Sequence, residues 1–467
     1  MEEKKALSVV KNIYLIGIGG IGMSGLAMLL KDKGFNVSGS DVKDSDTVRM
    51  LVGRGVRVFV GHSRENITPD IDMICCSSAV KEDNPEMMEA RRREVTVLKK
   101  GELLSLLAWD TQIIAVAGSH GKTTTTSLVG YLLSSLGRVP AVFVGGLPLN
   151  YSRTAWWGKD YFVIETDESD GSFLNYNPWF SIITNIDYEH LDYHGSIDNL
   201  KASFQRFADQ TKGKVVGCGE DPMVKEMVDR AGGWTYGWSK DNKFSAEIDG
   251  FDGKYTNFSF YIDGQFISRV KIPLLGKHNV LNTLAVLAFF YHINESLPNV
   301  IKLLADFKGV KRRFQIKANI AGVAFVDDYG HHPTEIKAVL DAARYLNFKR
   351  VVAIFQPHRY SRAKALAQEF SSCLLCADEV IVTDIYGACE KPIDGINGQY
   401  LAGLIREKFA SQSSGTGVVH YIPKDRLAAE ACQYFKEGDI VIGLGAGDIN
   451  ILMEAIASEF ARNRIKT

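Results

Sequence analysis

The sequence carries almost no net charge. Its 54 lysine and arginine residues are balanced by 55 aspartate and glutamate residues, which gives a formal net charge of −1 at pH 7. A protein without an overall positive field has no general attraction for nucleic acid or for an anionic membrane surface. We therefore expect no nucleic-acid partner, and any binding of phosphate must be local.

Cysteine is also sparse, and most of the cysteines are scattered along the chain. The seven cysteines include one CxxC pair, Cys373 and Cys376, without the second CxxC or CxxH that would complete a zinc site. An odd, scattered set of this kind is typical of reduced thiols in a reducing compartment. We expect neither a disulfide framework nor a zinc site.

A long apolar segment free of glycine is missing as well. Residues 13–30 carry no charge, but they include five glycines and one serine, and no small-residue cleavage site follows. This composition favours a strand, a loop and a helix over a signal peptide or a membrane-spanning helix. We expect a soluble cytoplasmic protein without membrane insertion, present as a monomer or weak dimer.

The chain is long enough for about three domains. Short β-branched runs alternate with helical stretches, which predicts an α/β fold with largely parallel sheets. We assign a Rossmann-like domain to residues 1–106, a larger domain with a mixed sheet to 107–312, and a second Rossmann-like domain to 313–467. Within 243–274, strand-like alternation with Asp-Gly turns predicts antiparallel hairpins.

The first motif is a glycine turn, "GIGGIGMSG". Gly17, Gly19 and Gly22 fit GxGxxG between a strand-like run and a helix-like run, so backbone amides and a helix N-terminus are expected to face a pyrophosphate. Asp41 follows near the place where an acidic residue binds a ribose hydroxyl. A nicotinamide, another nucleotide and a purely structural turn all remain open at this point.

A second loop, "AGSHGKTTTT", lies between another strand and another helix. It is a short GxxGKT loop that begins at Gly118 and ends in Gly121, Lys122 and Thr123. Backbone amides around phosphates, a lysine on their terminal oxygens and a hydroxyl for magnesium are what ATP binding requires. The remaining candidate loop residues are Ser119, His120 and Thr124.

Acidic residues follow at the ends of the next strands. "ETDESD" places Glu165 at a strand tip, with Asp167, Glu168 and Asp170 beyond it, and "TNIDYEHLD" presents His190. Carboxylates are the hard ligands that magnesium prefers, although a solvated turn would have the same composition. These strand ends are expected at one edge of one parallel sheet, where open α/β sheets bind ligands.

The ordered motifs resemble those of a known family. "GIGGIGMSGLA", "AGSHGKTTTT", "ETDESDGSF", "TNIDYEHLD", "GKHNVLN", "GVKRRF", "DDYGHHPTEI", "FQPHRYSR" and "GAGDI" occur in the order found in the Mur ligases, ATP-dependent amide-forming enzymes of bacterial cell-wall precursor synthesis. The resemblance covers nearly the whole chain. It implies three domains: a Rossmann-like domain that binds a UDP-linked substrate, a central P-loop ATPase-like domain that binds ATP, and a Rossmann-like C-terminal domain that binds an amino acid.

The resemblance also implies roles for individual residues. Lys122 would hold the ATP phosphates, Thr123 and Glu165 would hold one Mg²⁺, and His190 would hold a second. The further ATP contacts implied are Asn279 and Asn282 at the adenine, Arg313 at the γ-phosphate and Asp328 at the ribose. The implied contacts to the UDP substrate are Gly17, Gly19, Gly20, Gly22, Ser24 and Asp41.

The implied reaction joins the carboxylate of UDP-N-acetylmuramate to the amine of L-alanine through an acyl phosphate. His331 or His332 would assist as a base, although a histidine before Pro333 could instead cap a helix. Arg359 and Arg362, three residues apart on one predicted helical face, would clamp the amino-acid carboxylate together with His331. Solvated arginines are the alternative.

Three other functions fit parts of the chain. A recycling ligase of the same family would attach a preformed peptide to the same UDP-sugar. An NAD-dependent dehydrogenase fused to a nucleotide-binding module would explain the first glycine turn but would leave the carboxylates and arginines without a role. A non-catalytic ATP-driven switch would use the second loop alone.

Overall fold

The protein has an α/β fold built on three sheets. The computed structural model describes residues 7–412 and 417–465, and its strands form sheets of five, ten and six strands that follow one another along the chain. The predicted fold class is therefore confirmed.

The first sheet is parallel throughout, with strand order β3-β2-β1-β4-β5. Its strands are β1 (Asn12–Ile16), β2 (Asn36–Asp41), β3 (Arg57–Val60), β4 (Met73–Cys76) and β5 (Thr96–Lys99). Its helices are α1 (Ile21–Lys33), α2 (Asp46–Gly53), α3 (Pro85–Arg92) and α4 (Lys100–Leu107). The strand order changes direction at β1, and such a switch point is where open α/β sheets bind ligands.

The second sheet is mixed, with strand order β15-β14-β13-β12-β11-β10-β6-β9-β7-β8. Strand β6 (Gln112–Ala117) lies in its interior, paired in parallel with β9 (Tyr161–Glu165) and β10 (Phe180–Ile183). The other strands are β7 (Ala141–Phe143), β8 (Ala155–Trp156), β11 (Lys214–Cys218), β12 (Trp234–Gly237), β13 (Phe244–Asp252), β14 (Tyr255–Ile262) and β15 (Gln265–Ile272). The helices are α5 (Lys122–Ser135), α6 (Leu191–His194), α7 (Ile197–Asp209), α8 (Pro222–Arg230), α9 (Lys277–His292) and α10 (Leu297–Leu304).

Strands β13 to β15 form the hairpins expected from the Asp-Gly pattern. Two residues separate each strand from the next, a connection that only antiparallel neighbours allow. The second turn holds Asp263 at φ 49° and Gly264 at φ 75°, the left-handed conformations that match the twist of the flanking strands.

The third sheet is parallel except at one edge. Its order is β16-β17-β21-β18-β19-β20, and only β16 runs antiparallel to its neighbour. The strands are β16 (Gln315–Ile320), β17 (Val323–Asp328), β18 (Arg350–Phe355), β19 (Glu379–Val382), β20 (Val418–Tyr421) and β21 (Asp439–Leu444). The helices are α11 (Pro333–Arg344), α12 (Tyr360–Ala365), α13 (Ala367–Cys373), α14 (Gly398–Ala410), α15 (Leu427–Glu430) and α16 (Ile449–Ile465).

The chain divides into two compact units. One consists of residues 1–247, 259–270 and 281–308, and the other of 248–258, 271–280 and 309–467. The domain limits expected at residues 106 and 312 stay a prediction. In the second unit, separate apolar clusters cover the two faces of the third sheet.

Helix α1 joins the first two sheets into one core. Its buried residues, such as Leu26, share a cluster with Phe143 and Phe162 of the second sheet. A Cβ on Gly25 would lie 3.1 Å from Thr154 Oγ1, so the glycine permits this close approach. At its other end, Asp32 Oδ2 lies 3.0 Å from Arg153 Nη1.

The uncharged segment 13–30 therefore forms a strand, a turn and a helix, as predicted. Among the helices of the described residues, none combines the length and the apolar character needed to cross a bilayer.

Candidate active site

The loop after β6 depends on its two glycines. Gly118 has φ 129° and Gly121 has φ 84°, conformations that side-chain-bearing residues rarely adopt. A Cβ on Gly118 would overlap Thr184 Oγ1, and a Cβ on Gly121 would lie 2.5 Å from Asn282 Oδ1. The structure thus places Asn282, an expected ATP contact, directly beside this loop.

The segment that follows β10 forms hydrogen bonds with the middle of this loop. Ser119 N donates to Asn185 O at 2.9 Å, and His120 N donates to Asn185 Oδ1 at 2.9 Å. The His120 ring lies 3.1 Å from Asp187 Oδ2. These bonds fix the conformation of the loop. Thr124, the last of the candidate loop residues, is buried within α5.

The Lys122 ammonium is held in place by a carboxylate. Its Nζ lies 2.6 Å from Glu168 Oε1 and 2.9 Å from Oε2, and it also donates to Gly118 O. Burial lowers the pKa of Lys122, but the neighbouring carboxylates outweigh burial and raise that pKa overall. Burial also raises the pKa of Glu168 to about 7, against the effect of Lys122. The cation is thus positioned where a phosphate group could replace Glu168.

Two of the three predicted metal ligands are adjacent. Thr123 Oγ1 donates to Glu165 Oε1 at 2.8 Å, and Gly145 N donates to Glu165 Oε2 at 2.6 Å. His190 instead faces Glu168, with Nε2 4.0 Å from Oε1. The hydroxyl and the two carboxylates offer the oxygen ligands that Mg²⁺ prefers, whereas the imidazole of His190 is a softer ligand. The sequence analysis named Glu168 but gave it no role of its own, because four acidic residues compete within "ETDESD".

The glycine turn after β1 uses several of its own amides. Gly17 N and Ile18 N both donate to Ser40 O at 2.9 Å, and Gly19 N donates to Asp41 Oδ2 at 2.9 Å. Gly20 precedes α1 as the cap residue and has no side chain to satisfy the helix amides. The donors left for a phosphate are therefore those of the first turn of α1.

The other expected residues of this turn have local partners. Ser24 Oγ donates to Ile21 O at 3.0 Å, and Gly22 lies in the first turn of α1. The Asp41 carboxylate supports the turn through Gly19 and also accepts from Lys43 N at 3.2 Å. Its contact with a ribose stays a prediction.

In the second unit, Asp328 organises the segment around Arg313. Its carboxylate accepts from Phe314 N and from Gly330 N, each at 2.6 Å. Burial raises the pKa of Asp328 to about 6, with Arg313 opposing the shift. The guanidinium of Arg313 lies 3.5 Å from Glu335 Oε1. The expected contacts of Asp328 and Arg313 with ATP stay predictions, as does that of Asn279, which donates to Leu275 O at 2.8 Å.

The two adjacent histidines have different positions. His332 is 4% exposed and occupies the residue before α11, the capping position considered in the sequence analysis. His331 N donates to Glu335 Oε2 at 3.1 Å, and its ring Nδ1 lies 3.1 Å from Tyr329 O. A role as base stays a prediction for both.

The two arginines do not share a helical face. Helix α12 begins at Tyr360, and Arg359 precedes it with φ 68°, its backbone N–H donating to Tyr386 O at 2.8 Å. Arg359 Nε lies 3.9 Å from Glu390 Oε1, whereas Arg362 Nη1 lies 3.4 Å from His358 Nδ1. The expectation that both arginines project from one helical face was wrong, because Arg359 lies before the helix and its own backbone has a positive φ. Their contact with the amino-acid carboxylate stays a prediction.

His358 and Tyr386 belong to the same cluster and were missed by sequence reasoning. The His358 ring stacks on Tyr386 with centroids 5.7 Å apart, and it meets His331 at 5.7 Å. Only the parallel neighbours β18 and β19 bring these residues together. His358 stands directly before Arg359 in "FQPHRYSR", but the sequence analysis assigned the amino-acid contact in this motif to the arginines alone.

Acid should weaken folding partly through His358. Burial, and then His331 and Arg362, lower the pKa of His358 from 6.5 to about 3. The unfolded chain therefore binds this proton more tightly, so the stabilisation is present above about pH 6.5 and is lost as the pH falls toward about 3. We expect His358→Gln to reduce the loss of unfolding free energy between about pH 7.5 and pH 5, measured by urea unfolding. An equal loss in both proteins would contradict this.

Comparison with known proteins identifies the family. The Mur ligase family catalytic domain matches residues 12–111, the Mur ligase middle domain matches 116–290, and the Mur ligase glutamate ligase domain matches 312–447. The chain is 41% identical to the UDP-N-acetylmuramate--L-alanine ligase of Anaeromyxobacter dehalogenans strain 2CP-1, over 94% of this chain and 95% of that protein. It is 38% identical to the ligase of the same name from Carboxydothermus hydrogenoformans, over 96% of each chain.

Two solved structures have a fold similar to that of this chain. The UDP-N-acetylmuramate-alanine ligase of Thermotoga maritima is similar with a TM-score of 0.82 and 30% identity, covering 98% of this chain and all of that one. A murein peptide ligase of Psychrobacter arcticus has the same fold, with a TM-score of 0.68 and 22% identity over 97% of this chain and 99% of that one. Because the three family models and the curated relatives cover most of the chain, the chain belongs to the Mur ligase family.

Proposed function

We propose that this chain is an ATP-dependent ligase that joins the carboxylate of UDP-N-acetylmuramate to the amine of L-alanine, releasing ADP and phosphate, in peptidoglycan precursor synthesis. The observation that carries the proposal is the loop after β6, where Lys122, Thr123 and Glu165 converge. Relatives covering more than nine-tenths of the chain bear the name of this activity.

The reaction has two steps. An oxygen of the substrate carboxylate attacks the γ-phosphorus of ATP, the bond to the β-phosphate oxygen breaks, and an acyl phosphate and ADP form. The neutral amine of alanine then attacks the acyl carbon, and phosphate leaves. A base near the amine would take its proton, and His331 is our candidate.

The residues near the loop suit the first step. Lys122 would exchange Glu168 for a phosphate oxygen and stabilise the charge that builds during phosphoryl transfer. Thr123 and Glu165 would hold one Mg²⁺, and Glu168 with His190 would hold a second. Magnesium supplies charge neutralisation on the phosphates. We further propose that Arg313 reaches the γ-phosphate.

The second step needs a grip on a small amino acid. We propose that Arg362, backed by His358, binds the carboxylate of alanine, since a guanidinium can form two parallel bonds to it. Arg359 would contribute from outside the helix. The cytoplasmic location and the monomeric or weakly dimeric state remain predictions.

The proposal predicts ADP release that requires every substrate. Purified protein with MgATP, UDP-N-acetylmuramate and L-alanine should release ADP, and omission of any one should abolish the release. Competition with a free tripeptide separates the recycling ligase, because that enzyme would consume the tripeptide in preference to alanine. Preference for the tripeptide, or ADP release without an amino acid, would overturn the proposal.

A further inference from the structure

Lys100 lies beside the start of the glycine-turn helix. It is the first residue of α4, and its side chain covers Gly22 in the first turn of α1. A Cβ on Gly22 would lie 3.3 Å from Lys100 Cδ and 3.5 Å from its Nζ. Because residue 22 is a glycine, the Lys100 side chain can pack against the first turn of α1.

The ammonium of Lys100 has capacity for a further acceptor. Within the described part of the chain, its one hydrogen bond runs to Asp167 Oδ2 at 3.5 Å, the outer limit of such a bond. An ammonium offers three donors. The Lys100 side chain is 27% exposed and that of Asp167 is 41% exposed, so solutes can reach the pair.

The start of α1 carries positive charge that no acidic residue of its own first turn neutralises, although Asp167 lies near Lys100 and Asp41 near Gly19. The first turn of α1 contains no acidic residue, and its cap residue, Gly20, provides no side-chain bond. The helix N-terminus contributes partial positive charge, and Lys100 adds a full one. Gly17 N and Gly19 N are already bonded to Ser40 and Asp41, so a phosphate at this turn would need donors from α1 and from a side chain.

We propose that the Lys100 ammonium binds the diphosphate of the UDP-linked substrate together with the first turn of α1. Asp167 holds the lysine in place when the substrate is absent and releases it when the diphosphate arrives. The inference rests on the proposed function, because that function supplies the diphosphate. Lys100 would be a binding residue for the nucleotide sugar that no motif in the sequence marks.

Equilibrium binding of UDP tests the inference. Lys100→Met should raise the Kd for UDP and for UDP-N-acetylmuramate about tenfold or more, since a hydrogen bond between charged groups is lost. The Kd for a non-hydrolysable ATP analogue with Mg²⁺ should stay within about twofold of the wild-type value. Lys99→Met is the matched control, because it removes the same charge from the exposed neighbouring residue, and it should bind UDP like the wild type.

A second pair of variants separates binding from mere support of the fold. If the ion pair with Asp167 were what mattered, Asp167→Asn would weaken UDP binding as much as Lys100→Met does. The proposal expects Asp167→Asn to bind UDP at least as tightly as the wild type. Lys100→Arg should recover most of the affinity that Lys100→Met loses, and thermal unfolding checks that each variant is folded.

The outcomes distinguish this inference from the proposed function. Wild-type protein that fails to bind UDP-N-acetylmuramate would overturn the proposed function. Wild-type binding with an unchanged Kd in Lys100→Met would overturn only the role of Lys100, as would equal losses in Lys100→Met and Lys99→Met.

Discussion

Lys122→Met is expected to lower the rate of substrate-dependent ADP release by about 10²- to 10³-fold. The variant removes the cation that would stabilise charge on the transferring phosphate, and methionine fills much of the same volume. Saturating ATP should not restore the rate, because the lost contact strengthens in the transition state. A coupled assay of ADP release at increasing ATP concentration measures both effects.

A structural complication of this variant can be controlled. Glu168, 2% exposed, would lose its cationic partner, and a buried carboxylate without a partner destabilises the fold. The double variant Lys122→Met, Glu168→Gln removes that charge and should regain stability in thermal unfolding without regaining activity. Activity within about threefold of wild type in either variant would contradict the role of Lys122.

Arg350→Met is expected to lower the free energy of unfolding by about 3 to 5 kcal/mol. Arg350 binds Asp439 through Nε at 3.0 Å and Nη2 at 2.7 Å, and it binds Glu379 Oε2 at 2.7 Å. The two carboxylate side chains are 1% and 6% exposed. Removal of the guanidinium leaves both buried without their main partner, and urea unfolding at neutral pH measures the loss.

Arg344, the last residue of α11, offers a matched control in the same unit. It also binds a carboxylate with two nitrogens, but it and its partner Asp378 are 41% and 38% exposed. Because water screens such a pair, Arg344→Met should cost no more than about 1 kcal/mol. The three residues of the buried network begin β18, β19 and β21, whereas His358 and Tyr386 follow the other ends of β18 and β19. KM for alanine should therefore change little in folded Arg350→Met, and equal destabilisation by the two variants would refute the distinction.

The predictions from sequence succeeded where one short segment determines the structure. A GxxGKT loop between an apolar strand and a helix specifies its own conformation, since Gly118 and Gly121 supply the required positive φ values. The Asp-Gly turns specify hairpins in the same local way. Alternating strands and helices then indicate the class of fold.

The predictions from sequence were incomplete where the partners of a site residue come from distant parts of the chain. The choice of Glu168 over Glu165 as the partner of Lys122 depends on how the chain leaves β9, which composition does not encode. His358 meets Tyr386 only because β18 and β19 are neighbours. Arg359 lies before the predicted helix with φ 68°. Arginine rarely adopts this backbone conformation, so the residue type does not predict it.

Helix α1 has a practical consequence for dividing this protein. One face of the helix lies against β7, β8 and the chain between them, as Gly25 beside Thr154 and Asp32 beside Arg153 show. A fragment ending after α4 would expose that apolar face to water and should aggregate. An exchange of the first sheet between two ligases of this family would have to take both sides of this contact from one protein. Because β7 and β8 belong to the second sheet, the exchanged segment would have to include that sheet to yield a folded hybrid.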